Sequence, residues 1–293
     1  MINVLSVDVE DYFHVEAFAG RVKVSEWDRF PVRVERNVGR ILDLFDRHDA
    51  KATFFVLGWV AKRVPHLVRE IAGRGHEIGC HGFGHQHIRR LTTVQFREDL
   101  RAARRYLTDQ AQNDVIAYRA PSFSIVKETT WALDVLAEEG FSIDSSIFPA
   151  HHDMYGIPNA PRFPYWHKTA QGNKLFEFPP STVRWGGNNF GVGGGGYLRL
   201  LPYAWTRRGI RHINQREKQP AMVYFHPWEI DPGQPRIPAP FKSRLRHYTN
   251  LSRMEAKIIR LMTEFKFDTL GGVCKRFSTE NTEGTENTEN EKI

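Results

Sequence analysis

Cysteine is nearly absent from this chain: Cys80 and Cys274 are the two thiols in 293 residues. Two cysteines cannot build a disulfide framework, and nothing else in the sequence points to an oxidising compartment. Cys80 lies in an apolar run and reads as a small buried hydrophobe rather than a ligand. Long apolar runs are also missing, with no stretch approaching the roughly 20 residues that span a bilayer. Met1 to Asp11 reaches acids almost at once, without a basic segment or a long apolar one, which argues against a secretory leader. A cytoplasmic location is therefore expected. No nucleic-acid-binding motif appears, and no nucleic-acid partner is expected. The net charge of +7 is spread in small groups, Arg89 and Arg90, Arg97 to Arg105, Arg207 to Arg211 and Arg244 to Arg253. These read mainly as solvated helix faces, compatible with peripheral association with a membrane surface or an anionic polymer.

A hydrophobic share of 41%, a charged share of 26% and a mean hydropathy of −0.48 fit a soluble globular domain with a sizeable core. The apolar pattern alternates strand and helix. Ile2-Asn-Val-Leu-Ser-Val-Asp8, Ala52 to Leu57, Glu77 to Cys80, Ala117 to Arg119, Phe141 to Asp144 and Ala221 to Phe225 read as strands. Helices are expected over Val32–Arg47, Pro65–Arg74, Thr93–Thr108, Lys127–Glu139 and Met254–Phe265. This order implies a parallel sheet, closed or nearly so, with helices outside. Polar residues recur at strand C-terminal ends, at Asp8, His81, Arg119, Asp144 and His226, where barrel enzymes place their sites. Phe148 to Tyr203 is rich in proline, glycine and aromatics and reads as an insertion near the site mouth. Its Gly193–Gly196 run lacks the following Lys-Ser/Thr helix of a phosphate loop. Trp166, Trp185 and Tyr197 within it read as a satellite cluster rather than sugar platforms. Residues 1–277 are expected to form one domain. From Ser278 the chain is a Thr-Glu-Asn repeat expected to be a disordered acidic tail.

Two motifs carry chemistry. Cys80-His81-Gly-Phe-Gly-His85 follows a strand directly, and two histidines four apart present their rings together if the chain turns helically. With a carboxylate they make a site suited to Zn²⁺ or a similar divalent ion. Ser6-Val-Asp8-Val-Glu10-Asp11 places Asp8 and Glu10 on one face of an extended chain, while Asp11 reaches the same region if the strand ends early.

With Ala52-Thr-Phe-Phe-Val-Leu-Gly58 upstream, His81-Gly-Phe-Gly-His85 resembles the NodB-type polysaccharide deacetylases, carbohydrate esterase family 4. Asp8-Val-Glu-Asp-Tyr-Phe13 and His226-Pro-Trp-Glu-Ile-Asp-Pro232 look closer still to a branch encoded with bacterial exopolysaccharide and exosortase loci. The resemblance runs from Val4 to Phe267. It implies a distorted (β/α)₇ barrel carrying the glycine- and aromatic-rich insertion. It also implies a divalent metal ion, zinc first and cobalt, manganese or nickel after it, held by His81, His85 and either Glu10 or Asp11. The acid-x-acid spacing of some members favours Glu10. Asp8 matches the general base, and Arg119 in Arg119-Ala-Pro121 matches the arginine that orients it. Ser122 matches the residue whose backbone N–H meets the substrate carbonyl oxygen. His226 matches the histidine that protonates the leaving amine, and Asp144 the acid that pairs with that histidine.

The implied activity is removal of N-acetyl groups from amino sugars, on an N-acetylated polysaccharide or a lipid-linked oligosaccharide, in exopolysaccharide synthesis. Two other readings stand beside it: hydrolysis of a non-sugar amide, as in allantoinase-like relatives of the same fold, and a non-catalytic glycan binder.

Overall fold

The structure is a computed structural model and describes residues 1–152 and 155–277. The acidic repeat expected to be a tail lies outside the described residues. Strand β1 (Ile2–Val9) is buried along nearly its whole length, as a strand central to a parallel sheet must be. It pairs in parallel with β2 (Thr53–Val56) on one side and with β10 (Met222–Phe225) on the other. The sheet continues in parallel from β2 through β3 (Glu77–Cys80), β4 (Ala117–Tyr118) and β5 (Ile143–Asp144) to β7 (Lys174–Glu177). Strand β6 (Tyr165–Lys168) adds antiparallel to β7, and β11 (Lys266–Asp268) adds to β1.

Seven parallel strands thus curve round in the order β10-β1-β2-β3-β4-β5-β7. No ladder joins β7 to β10. The gap is spanned by backbone and hydroxyl groups of the insertion: Met222 N–H donates to Ser181 Oγ at 2.6 Å and Tyr224 N–H to Gly193 O at 2.8 Å. This is the distorted seven-stranded barrel expected. Helices α1 (Val34–Arg47), α2 (Gly58–Arg63), α3 (Pro65–Gly73), α4 (Thr93–Ala111), α5 (Trp131–Glu138), α7 (Tyr203–Gln215) and α9 (Leu251–Glu264) cover the outside.

Side-chain parity sorts the residues. Val4, Phe55, Ala117, Ile143, Phe176 and Met222, from six strands, fill the barrel interior, and Leu270, Val273 and Cys274 join them. Leu5, Val7, Val9, Phe54, Val56, Val223 and Phe225 face the helices. Because side chains alternate along a strand, Ser6, Asp8 and Glu10 continue the inward row that starts at Val4, and Tyr224 and His226 continue the row of Met222. The apolar plug fills one end, and the inward polar residues collect at the other, C-terminal end.

The insertion is built rather than loose. Strands β8 (Thr182–Trp185) and β9 (Asn188–Gly191) form a hairpin, followed by helix α6 (Gly195–Leu200). The glycine run is a packing requirement, since a Cβ at Gly194 would sit 1.8 Å from the Tyr224 ring. Strand β7, helix α7 and helix α8 (Phe241–Tyr248) are additional to the elements expected from sequence. Cys80 is fully buried among apolar neighbours, as expected.

Candidate active site

Glu10, His81 and His85 converge at the C-terminal end of the barrel. Glu10 Oε1 lies 3.5 Å from His81 Nε2 and 3.3 Å from His85 Nε2, and all three side chains are buried. The two histidines do not sit on a helical turn, as their spacing suggested. Residues 81–87 are irregular, and the rings meet because Gly82 (φ +71°) and His85 (φ +50°) take left-handed conformations. Asp99 on α4 pins this loop, accepting from Phe83 N–H at 2.8 Å and Gly84 N–H at 3.3 Å.

The donor set fits a divalent cation. His81 Nδ1 is 2.8 Å from the Arg119 carbonyl oxygen, a contact it can make only as an N–H donor. In the neutral ring the lone pair is then on Nε2, which is buried with no protein hydrogen-bond partner. A histidine oriented this way by a carbonyl is the usual arrangement behind a metal ligand. Burial pushes the Glu10 carboxyl up, but His85 and His226 outweigh it and hold the group well below its ordinary range. Burial opposes charge on His85 too, yet Glu10 raises its pKa. A divalent cation held by these three residues would take the place of that proton.

Asp11 points elsewhere. Its Oδ2 accepts from Arg33 N–H at 2.6 Å and Val34 N–H at 2.8 Å, and its Oδ1 from Tyr12 N–H. It caps the entry to α1 and ties the loop after β1 to it. Of the two acids open from sequence, Glu10 faces the histidines.

Asp8 is buried beside the triad. Arg119, fully buried at the end of β4, donates from Nη1 to Asp8 Oδ1 at 2.6 Å and to Ser6 Oγ at 2.9 Å. Its Nη2 reaches Ser145 Oγ at 3.0 Å, and its plane lies 4.2 Å over the Phe55 ring. These contacts leave Asp8 Oδ2 facing His226 Nε2 at 3.9 Å. His226 Nε2 is also 3.5 Å from Glu10 Oε1. Ser122 sits in a left-handed turn (φ +55°) and lines the same pocket, a cleft of about 630 Å³ that also reaches Asp8, Glu10, His85, His226, Tyr197 and Lys242. Trp166 and Trp185 are not among its lining residues.

One expected partner is wrong. Asp144 does not pair with His226. Ile143 faces the barrel interior, so its neighbour Asp144 projects from the opposite face of β5. There it meets Ser146 Oγ at 2.6 Å and lies across from Glu177 on β7. The acid on His226 is Glu229, whose Oε2 is 3.1 Å from His226 Nδ1 and which is fully buried. Glu229 Oε2 also accepts His226 N–H at 3.0 Å, while Oε1 accepts from Arg199 Nε at 2.8 Å. Burial pushes the His226 imidazolium down, but Glu10, Glu229 and Asp8 together lift its pKa to about 9. Burial likewise raises Glu229, and His226 and Arg199 overcome it, leaving the carboxyl at about 2. Glu229 is in the quoted His226-Pro-Trp-Glu segment. Its signal was the acid three residues after the histidine, one turn away.

Residues 20–141 match the family model described as polysaccharide deacetylase, and residues 145–275 match a domain family of unknown function, DUF3473. A peptidoglycan-N-acetylglucosamine deacetylase of Bacillus cereus is 34% identical over 84 residues, which is 29% of this chain and 28% of that protein. The chain thus covers under a third of the length of that relative. In three dimensions a Mycobacterium smegmatis protein assigned as a polysaccharide deacetylase superposes with a TM-score of 0.64 at 18% identity, covering 96% of this chain and 91% of that one. Puue allantoinase superposes with a TM-score of 0.57 at 15% identity, over 91% of this chain and 85% of that one. Both likenesses are of fold. Residues 20–141 are thus the segment similar in sequence to the polysaccharide deacetylase family, and the chain shares the fold of these two structures.

Proposed function

We propose that this chain hydrolyses the N-acetyl amide of amino sugars in a polysaccharide or its lipid-linked precursor, in bacterial exopolysaccharide synthesis, with a divalent metal ion, zinc first. Residues 1–277 act as one catalytic unit: the sheet pairs β1 with β10 and β5 with β7, joining the parts matched by the two family models. The observation that carries the reading is the convergence of Glu10, His81 and His85 beside Asp8 and His226 in one open cleft.

An amide is a poor electrophile and its amine a poor leaving group. Glu10, His81 and His85 would hold a divalent cation, which when bound would polarise the carbonyl and lower the pKa of water from 15.7 to about 7. Arg119 occupies one oxygen of Asp8, so the other, Oδ2, takes the proton from the attacking water. The Ser122 backbone N–H, in its left-handed turn on the cleft wall, receives the negative charge developing on the carbonyl oxygen. His226, oriented at Nδ1 by Glu229, whose carboxylate favours the imidazolium, delivers a proton from Nε2 to the departing amine. General acid–base steps of this kind contribute roughly 10²–10⁴-fold each.

The test is acetate release from N-acetylglucosamine oligomers and extracted lipid-linked saccharide by the zinc-loaded chain, with cyclic ureides in parallel. Asp8→Ala is expected to abolish release while metal remains bound. Turnover of the ureide alone replaces the sugar with a non-sugar amide. Glycan binding without any hydrolysis makes the chain a binder.

A further inference from the structure

Helix α8 is built back to front. His247, its buried residue, packs inward, with its ring stacked 4.1 Å from Trp228 at 15° and its Nε2 2.7 Å from Gln234 Oε1. On the opposite side Phe241 and Leu245, one turn apart, are 78% and 55% exposed. A phenylalanine and a leucine held in water on one stripe of an otherwise anchored helix are an unfavourable surface unless something covers them.

The surroundings say what kind of surface that is. Lys242 and Arg246 flank the stripe on one side and Arg244 on the other, all exposed. Arg236 stacks over the Tyr248 ring at 4.1 Å, beside the same stripe. From Pro232 to Met254 the sequence has five basic residues, Arg236, Lys242, Arg244, Arg246 and Arg253, and no acid. Glu16, an acid that shares the pocket wall with this helix, is paired with Arg90 at 2.5 Å. The stripe therefore carries apolar side chains within an uncompensated positive field. Nucleic acid or a soluble polyanion engages the charges alone and leaves Phe241 and Leu245 in water. An anionic bilayer satisfies both, apolar groups entering the headgroup boundary and cations meeting phosphates.

The position adds a consequence. Lys242, Ser243 and Arg246 line the cleft that holds Asp8, Glu10 and His226, so the helix is the cleft's rim. It is also rigidly tied to the floor: Arg199, which holds Glu229, donates from Nη1 to the carbonyls of Arg246 at 2.5 Å and Thr249 at 3.1 Å. We propose that α8 and the Pro232–Pro240 segment before it form a docking surface for an anionic lipid bilayer, which sets the mouth of the cleft against the headgroups. Saccharide carried at the membrane then reaches the site without leaving the surface. That last consequence rests on the deacetylase reading; the docking itself does not.

The experiment is co-sedimentation of the full chain with vesicles of phosphatidylglycerol and phosphatidylcholine in equal parts, against pure phosphatidylcholine, at low and high salt. Binding to the anionic vesicles, weakened by salt, is expected. The double variant Phe241→Ser, Leu245→Ser is expected to lower the partition by about tenfold or more with an unchanged melting temperature, because both side chains are exposed. Phe241→Trp should blue-shift its fluorescence on the anionic vesicles. No binding to them, or full binding by the serine double variant, overturns the proposal. So does a soluble anionic polysaccharide that binds through Lys242 and Arg246 while vesicles do not. Acetate release from soluble N-acetylglucosamine oligomers, measured alongside, reports on the deacetylase reading separately: vesicle binding without turnover sinks that reading and leaves the docking surface standing.

Discussion

His226 and Glu229 hold one another by two contacts at once: Oε2 of the glutamate meets the ring Nδ1 at 3.1 Å and the backbone N–H at 3.0 Å. The spacing is one turn of the short helical segment after β10, so the segment that delivers the histidine to the barrel mouth also delivers its partner. Arg199, from α6 in the insertion, neutralises the other oxygen of the same carboxylate. The insertion thus reaches the ring through one buried acid, and the bond on Nδ1 sets which nitrogen faces Asp8.

Glu229→Gln is expected to reduce turnover by roughly 10²-fold, since a neutral amide neither supports the charged ring nor fixes its proton as the carboxylate does. Glu229→Ala should in addition destabilise the fold by about 3–5 kcal/mol, because it strands the buried Arg199 charge. The combination Arg199→Met, Glu229→Gln removes both charges and should recover much of that stability without recovering activity. Urea unfolding beside acetate release checks the two effects. An active Glu229→Gln variant at the normal rate removes this residue from the mechanism.

The two adjacent acids separate cleanly. Zinc should raise the melting temperature of the chain, by the equivalent of about 2.7 kcal/mol at a hundredfold excess over Kd. Glu10→Gln is expected to lose that increment and little else. Asp11→Ala should keep the increment but lower stability of the metal-free chain by roughly 1–3 kcal/mol, since it abandons the buried N–H groups of Tyr12 and Val34. Calorimetric scans with and without zinc distinguish them; the reverse pattern would make Asp11 the ligand.

Gly82 is where backbone conformation controls the metal ligands. Its φ of +71° disfavours any side chain by about 1–2 kcal/mol, and a Cβ there would stand 2.8 Å from Asp99 Oδ2. Gly82→Ala is therefore expected to cost stability and to weaken zinc binding at least tenfold by displacing His81 from His85. Gly84, with nothing closer than 3.8 Å to its notional Cβ and no positive φ, should tolerate alanine. Zinc titration of the two variants makes the comparison.

How far the sequence could be read follows from strand length. β1 has eight residues, long enough for alternation to show that Asp8 and Glu10 share a face, and the structure puts them together. β5 has two residues, too few for any parity to be visible, and Asp144 consequently looked like a site residue although it faces away. β7 was hidden for another reason: Lys174-Leu-Phe-Glu177 lies between Gly172-Asn173 and Pro179-Pro180, and the surrounding loop composition masked four strand residues. Helix α8 escaped because its exposed side carries the apolar residues, so it lacks the usual inward periodicity. His81 and His85 were paired for a helical spacing that the loop does not have; two left-handed residues produce the same convergence.

The carboxyl pair behind Asp144 makes the fold sensitive to alkali. Burial raises Glu177 well above its ordinary 4.5, with Asp144 beside it adding to the shift, and burial raises Asp144 above 3.8. Asp144 Oδ2 and Glu177 Oε2 are both buried without another donor, so one proton between them satisfies both oxygens. The folded chain then binds a proton that the unfolded chain releases near pH 4–5. Folded values above unfolded ones mean stability that is fully present below that range and is lost as pH rises toward the raised folded values. Unfolding free energy should accordingly fall from pH 5 upward beyond what the remaining groups produce. Glu177→Gln supplies a permanent N–H to Asp144 in place of the shared proton, and its stability should change less over the same interval. Urea denaturation of both proteins across the neutral and alkaline range reads the difference in slope directly. Parallel curves would mean that the two carboxyls do not share a proton.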